Sequence, residues 1–123
     1  MNRRFSLAAR GKGFVHAWRG VVYLIATQHN AWIHLFAAAC VIAAGLYLEL
    51  NRWEWAWLIL AIGLVLAAEA MNTAIEALAD ALSPEFNAGI GRAKDVAAAA
   101  VLILALTAAA IGALVFLPHF GCL

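Results

Sequence analysis

Residues 56–82 read "AWLILAIGLVLAAEAMNTAIEALADAL", an apolar run long enough to cross a bilayer whose last third carries Glu69, Glu76 and Asp80. A purely structural membrane segment has no use for those carboxylates. At about 100° per residue, Glu69, Asn72, Thr73, Glu76 and Asp80 fall on one stripe of a helix, because they lie 3, 4, 7 and 11 positions after Glu69. Ionisable groups at membrane depth are costly and face a bundle interior or a wet cavity where a partner compensates them. The stripe therefore marks this helix as the one that carries chemistry, and the rest of the chain is read around it.

Composition agrees that the chain lives in a membrane: 67% of the 123 residues are hydrophobic and 12% charged, far from the balance of a soluble domain. One compact unit spanning residues 1–123 is expected, and spans this few and short imply a site completed between protomers. The net charge of +1 identifies no partner, and nothing in the sequence calls for nucleic acid. Cys40 and Cys122 form no metal-ligand spacing and read as reduced. The segment "VVYLIA" is too short for a signal-peptide core, so the chain is expected to be retained whole.

Upstream, residues 5–29 place Phe14, Trp18, Val21, Val22 and Ile25 at helical spacing opposite Arg10, Lys12 and Arg19, the pattern of a helix lying along the headgroups. Gly11, Gly13 and Gly20 argue against one unbroken run. Residues 31–48, "AWIHLFAAACVIAAGLYL", give a first span of minimal length. A polar turn follows, and Trp53, Trp55 and Trp57 fit an interfacial aromatic belt. The second span covers 53–82 and stops at Ser83-Pro84. "PEFNAGIGR" reads as a loop, and 94–117 as the third span. The expected architecture is an all-α membrane protein with an amphipathic surface helix and three transmembrane helices. Arg3, Arg4, Arg10, Lys12, Arg19, Arg92 and Lys94 fall on one side and Arg52 on the other, which puts the N-terminus and the 83–95 loop in the cytoplasm.

Across that loop, Arg92, Lys94 and Asp95 meet the acidic end of the second span. The plainer reading is an interhelical salt-bridge cluster, for instance Asp80 with Arg92 or Glu76 with Lys94. Glu69 resists it: the residue lies about 16 Å along the helix from Asp80, and no basic residue of its own helix reaches it. A carboxylate there can take a proton from a lipid hydroxyl, Glu76 can help hold Mg²⁺, and Lys94 can meet a phosphate. Those are the parts of phosphoryl transfer. No P-loop, protein-kinase glycine loop or zinc motif occurs, so the residues alone establish a charged intramembrane site facing the cytoplasm. A small proton- or cation-coupled transporter, or a non-catalytic membrane subunit, are the alternatives, and the Lys94-Asp95 loop favours the kinase.

"EAMNTAIEALAD" followed by "GRAKDVAAAAVL" resembles the signature of the small prokaryotic diacylglycerol kinase family, which includes undecaprenol kinase, over about residues 13–118. The resemblance implies a homotrimer in the lipid bilayer of the bacterial inner membrane, phosphorylating a membrane lipid alcohol (diacylglycerol or undecaprenol) with ATP and Mg²⁺. It implies Glu69 as catalytic base, supported by Asn72, and Glu76 as ligand of the nucleotide's cation. It also implies nucleotide contacts from His16, Glu85, Phe86, Asn87, Lys94 and Asp95. Gln28 departs from the pattern, standing where the family has a second metal-binding glutamate; an amide oxygen keeps a ligand but no charge. Asn30 and His34, in "QHNAWIHL", look like the undecaprenol kinase branch and are candidate substrate contacts, with a packed polar residue as the plainer role for His34. Trp18 reads as an anchor and a candidate wall of the lipid groove. His29 and His119 are assigned nothing.

Overall fold

The computed structural model describes residues 4–85 and 87–122; Phe86, a candidate nucleotide contact, lies outside them. Four α-helices follow one another, α1 (Leu7–Thr27), α2 (His29–Tyr47), α3 (Arg52–Leu82) and α4 (Ala88–Phe116), and a 3₁₀ turn, Leu117–Phe120, closes the chain. No strand occurs among the described residues. The helices α2, α3 and α4 are long and apolar enough to cross a bilayer. Most of their large apolar side chains remain exposed, as lipid-facing surfaces must. The protein is an all-α membrane protein with an N-terminal amphipathic helix and three spans.

Helix α1 is continuous, contrary to what its glycines suggested. Ser6 caps it by accepting from the Ala9 amide at 3.3 Å, and nothing lies within 4 Å of a Cβ built at Gly11, Gly13 or Gly20. Glycine weakens a helix without blocking its geometry. The break falls at Gln28, three residues before the expected start of the first span, where an extended backbone ends α1 and begins α2. At the end of α1, Trp32 Nε1 donates to the left-over carbonyl of Ile25 at 2.8 Å, and Thr27 Oγ1 adds a second bond to Tyr23 O at 2.7 Å.

The α2–α3 turn is fixed by two linked caps. Leu50 N–H donates to Gly45 O and Glu49 N–H to Leu46 O, a Schellman pattern that puts Glu49 in the left-handed region at φ 54°. Asn51 and Glu54 then form a capping box at the start of α3. Trp55 departs from the belt expected of it: its ring packs against Gly45, so closely that a Cβ there would lie 2.7 Å from the ring edge. Trp53 and Trp57 remain exposed. Around this turn Leu50, Leu58 and Val115 form the buried core, with Val41, Leu48, Trp55, Ile111 and Phe116 packed on it. His119 Nε2 lies 2.9 Å from Glu54 Oε1 and fastens the chain's last turn to the same end.

The opposite end differs from expectation in one respect. Helix α4 begins at Ala88, six residues ahead of the predicted start, because Asn87 Oδ1 accepts from Gly89 and Ile90 amides and caps the helix. Gly89, Gly91 and Arg92 are therefore helical and belong to no loop. Helix α3, at 31 residues, is about 46 Å long against roughly 30 Å of hydrocarbon. Counted from Arg52, Glu69 lies about 25 Å along the axis, within the length of the hydrocarbon, and Glu76 about 36 Å along, beyond it.

Glu49→Gly is expected to raise stability by about 0.5–1 kcal/mol, by relieving a left-handed non-glycine residue. Gly45→Ala is expected to lower it by about 1–3 kcal/mol, since the Trp55 ring must move. Thermal unfolding of both variants in one detergent checks the pair; a destabilised Glu49→Gly, or a Gly45→Ala at least as stable as the parent, would overturn this account of the turn.

Candidate functional site

Glu69, Asn72 and Thr73 are buried, and Glu69 has 0% of its surface exposed. The helical stripe thus turns inward at its deep end. Thr73 Oγ1 donates to the backbone carbonyl of Glu69 at 2.9 Å, so that hydroxyl is used locally. Both carboxylate oxygens of Glu69 and Oδ1 of Asn72 are buried without a hydrogen bond from the described residues. Leaving a buried acceptor unsatisfied costs about 1–3 kcal/mol, more for a charged one, so this arrangement is held at the expense of stability. From α2, His34 Nε2 comes to 3.7 Å from Glu69 Oε2. His34 also heads an apolar cleft of about 270 Å³ between α2, α3 and α4, walled by small and aliphatic residues such as Ala38, Val65, Leu66, Ala105 and Gly112.

Toward the headgroups the stripe becomes progressively more exposed. Glu76 is half-buried, two turns along α3 from Glu69 and one turn before Asp80. Neither pairing named from the sequence forms: Lys94 Nζ instead donates to Asp80 Oδ1 at 3.0 Å. The early start of α4 puts Lys94 on its second turn, opposite the last turn of α3. Both partners are substantially exposed, which limits such a pair to about 0–1 kcal/mol. Asp95 and Glu85 are exposed. Asn87 is committed through its Oδ1 to capping α4.

The residues upstream stand apart. His16 and Trp18 are exposed on α1, Asn30 is exposed on α2, and the Gln28 side chain donates through Nε2 to Thr27 Oγ1, at 3.3 Å, within the α1–α2 corner. No hydrogen bond or ion pair among the described residues joins them to the α3–α4 group. Among those residues there is also no group of three His, Cys, Asp or Glu side chains placed to hold a metal ion.

Two links were missed in the sequence. The approach of His34 to Glu69 crosses 35 positions, and only its place in an otherwise apolar span marked it as needing a partner. His119 and Glu54 lie 65 positions apart, and the pairing follows from which ends of α3 and α4 the antiparallel packing brings together.

The family model described as prokaryotic diacylglycerol kinase matches residues 15–116, nearly the whole chain. The undecaprenol kinase of Bacillus subtilis is 39% identical over 107 residues, covering 87% of each chain. The diacylglycerol kinase of Synechocystis is 40% identical over 106 residues, 85% of this chain and 61% of the relative's. That of Escherichia coli K12 is 31% identical over 118 residues, covering 89% of this chain and 84% of its own. A buried carboxylate within the length of the hydrocarbon, with an acidic and basic group beyond it, sits in the matched region in full, and the chain belongs to the prokaryotic diacylglycerol kinase family of membrane lipid kinases.

Proposed function

We propose that the chain transfers the γ-phosphoryl group of ATP to the hydroxyl of a membrane alcohol, undecaprenol or diacylglycerol, at the cytoplasmic face of a bacterial inner membrane. The observation that carries this reading is Glu69: a carboxylate with no exposed surface and no hydrogen bond, set within the length of the hydrocarbon. At that depth it meets an alcohol whose tail is in the bilayer and whose head reaches the interface. Glu69 takes the hydroxyl proton as the acceptor oxygen bonds to the γ-phosphorus. The bond from that phosphorus to the β,γ-bridging oxygen breaks, and ADP leaves with the electron pair. Asn72, one turn along and equally buried, supports the acceptor.

Lys94 is the cation for the transferring phosphate, and Asp80 holds it at the interface until nucleotide competes for it. Glu76, with Gln28, is the side for a divalent cation accompanying the nucleotide; Mg²⁺ there would neutralise phosphate charge. Asp95, Glu85, Asn87, Phe86 and His16 are nucleotide contacts in this reading, and Trp18, Asn30 and His34 lie on the lipid side. Because α1 and the α1–α2 corner stand apart from Lys94 within one chain, the reading takes a homotrimer in which one protomer's surface helix completes its neighbour's site. The excess of Lys and Arg at the N-terminus and around Arg92 supports a cytoplasmic N-terminus.

The purified protein with Mg²⁺ and labelled ATP, offered undecaprenol and diacylglycerol side by side, tests the assignment. Glu69→Gln is expected to lower lipid phosphorylation by about 10²–10⁴-fold with the oligomer intact. Full activity in that variant would remove the base. Lys94→Ala is expected to raise the KM for ATP strongly while changing stability by less than about 1 kcal/mol. Asp80→Asn serves as its control: equal losses in the two variants would make the Lys94–Asp80 pair a structural tie and nothing more.

A further inference from the structure

Glu69 is met by one basic side chain. Among the described residues only His34 comes within ion-pair distance of it, at 3.7 Å from Nε2 to Oε2, and the approach is made from a different helix. Of the other polar side chains nearby, the Thr73 hydroxyl serves the backbone carbonyl of Glu69, and the Asn72 amide makes no hydrogen bond to the carboxylate, whose oxygens have no partner among the described residues. Lys94 is held by Asp80 toward the headgroups. His34 itself is flanked in α2 by Ile33, Leu35, Ala37 and Ala38, and 21% of its side chain is exposed. An imidazole among such neighbours at membrane depth calls for a polar partner on an adjacent helix, and Glu69 is the one in reach.

We propose that His34 is a positioning residue for the phosphoryl transfer: its Nε2–H donates to Glu69 Oε2 and thereby turns Oε1 toward the acceptor hydroxyl. The inference rests on Glu69 acting as the base. The resting separation is slightly longer than a hydrogen bond and closes with a small shift of either side chain. A carboxylate free to rotate presents its lone pairs in many directions, whereas one tethered through a single oxygen presents the other in a fixed one. Orientation of this kind matters because a misplacement of about 1 Å costs on the order of 10²-fold in rate. The same contact ties α2 to α3 near the cytoplasmic end, away from the buried core around Leu50 and Leu58.

The full-length protein in detergent carries the test, through His34→Leu and His34→Gln. A packing role is met by leucine, a hydrogen-bond role by glutamine, whose Nε2 reaches a similar place and donates. His34→Leu is expected to lower kcat about 10²-fold with little change in the KM for ATP, and His34→Gln to recover most of that loss. Placing His34→Leu on Glu69→Gln is expected to add nothing, as for two residues acting through one group. Independently of activity, the ¹⁵N resonance of His34 Nε2 is expected to move on Glu69→Gln. Leucine performing as well as glutamine, or a resonance that does not respond, would overturn the proposal. An inactive Glu69→Gln beside a fully active His34→Leu would sink this inference alone, while a fully active Glu69→Gln would sink the base assignment with it.

Discussion

A carboxylate without exposed surface, surrounded by a bundle made almost wholly of hydrocarbon, is the constraint to which the other features answer. Glu69 needs donors that its own helix lacks, and it obtains one approach from α2 and none from α4. Its position along the hydrocarbon is set by the length of α3 from the Arg52 end, which is in turn held by the Asn51–Glu54 box and the His119–Glu54 contact. The unsatisfied oxygens have a stability cost that a purely structural helix would have removed by an aliphatic substitution. In the function proposed above, that cost is the requirement of a proton acceptor that meets a lipid hydroxyl where water is scarce.

The two ends of the bundle are built on different principles. At the α2–α3 turn, a Schellman pattern, a capping box, the Trp55–Gly45 contact and a small apolar core leave little freedom. At the cytoplasmic end, α3 and α4 are joined by an exposed lysine–aspartate pair, and the corner between α1 and α2 is held by side chains bonding to backbone carbonyls. Exposed pairs of that kind exchange readily for other partners. Rigidity therefore lies away from Glu69 and Lys94, and the groups assigned above to the nucleotide lie where the tethers are weakest.

Much of this was legible in the residues because membrane segments are governed by two strong rules, apolar length and the cost of intramembrane charge. The three spans and the polar stripe from Glu69 to Asp80 followed from them. Helix ends were less legible: Asn87 outweighed two glycines and started α4 early, and three glycines failed to break α1, because capping and propensity differ by only about 1 kcal/mol. Trp55 was misread because an interfacial tryptophan and a core tryptophan look alike until Gly45 is seen to receive the ring. The pairing of Lys94 with Asp80, and of His34 with Glu69, depended on helix register and rotation, which periodicity within one helix cannot supply.

The length of α3 has a consequence for the membrane itself. With the Arg52 end pinned at one leaflet, the number of residues from there to Glu69 acts as a ruler, and the thickness of the surrounding bilayer decides how far beneath the opposite headgroups the base comes to rest. A thicker membrane draws Glu69 into oil, while a thinner one lifts it toward water. Acyl-chain length thus bears on the setting of the proposed base through nothing more than the rise of a helix.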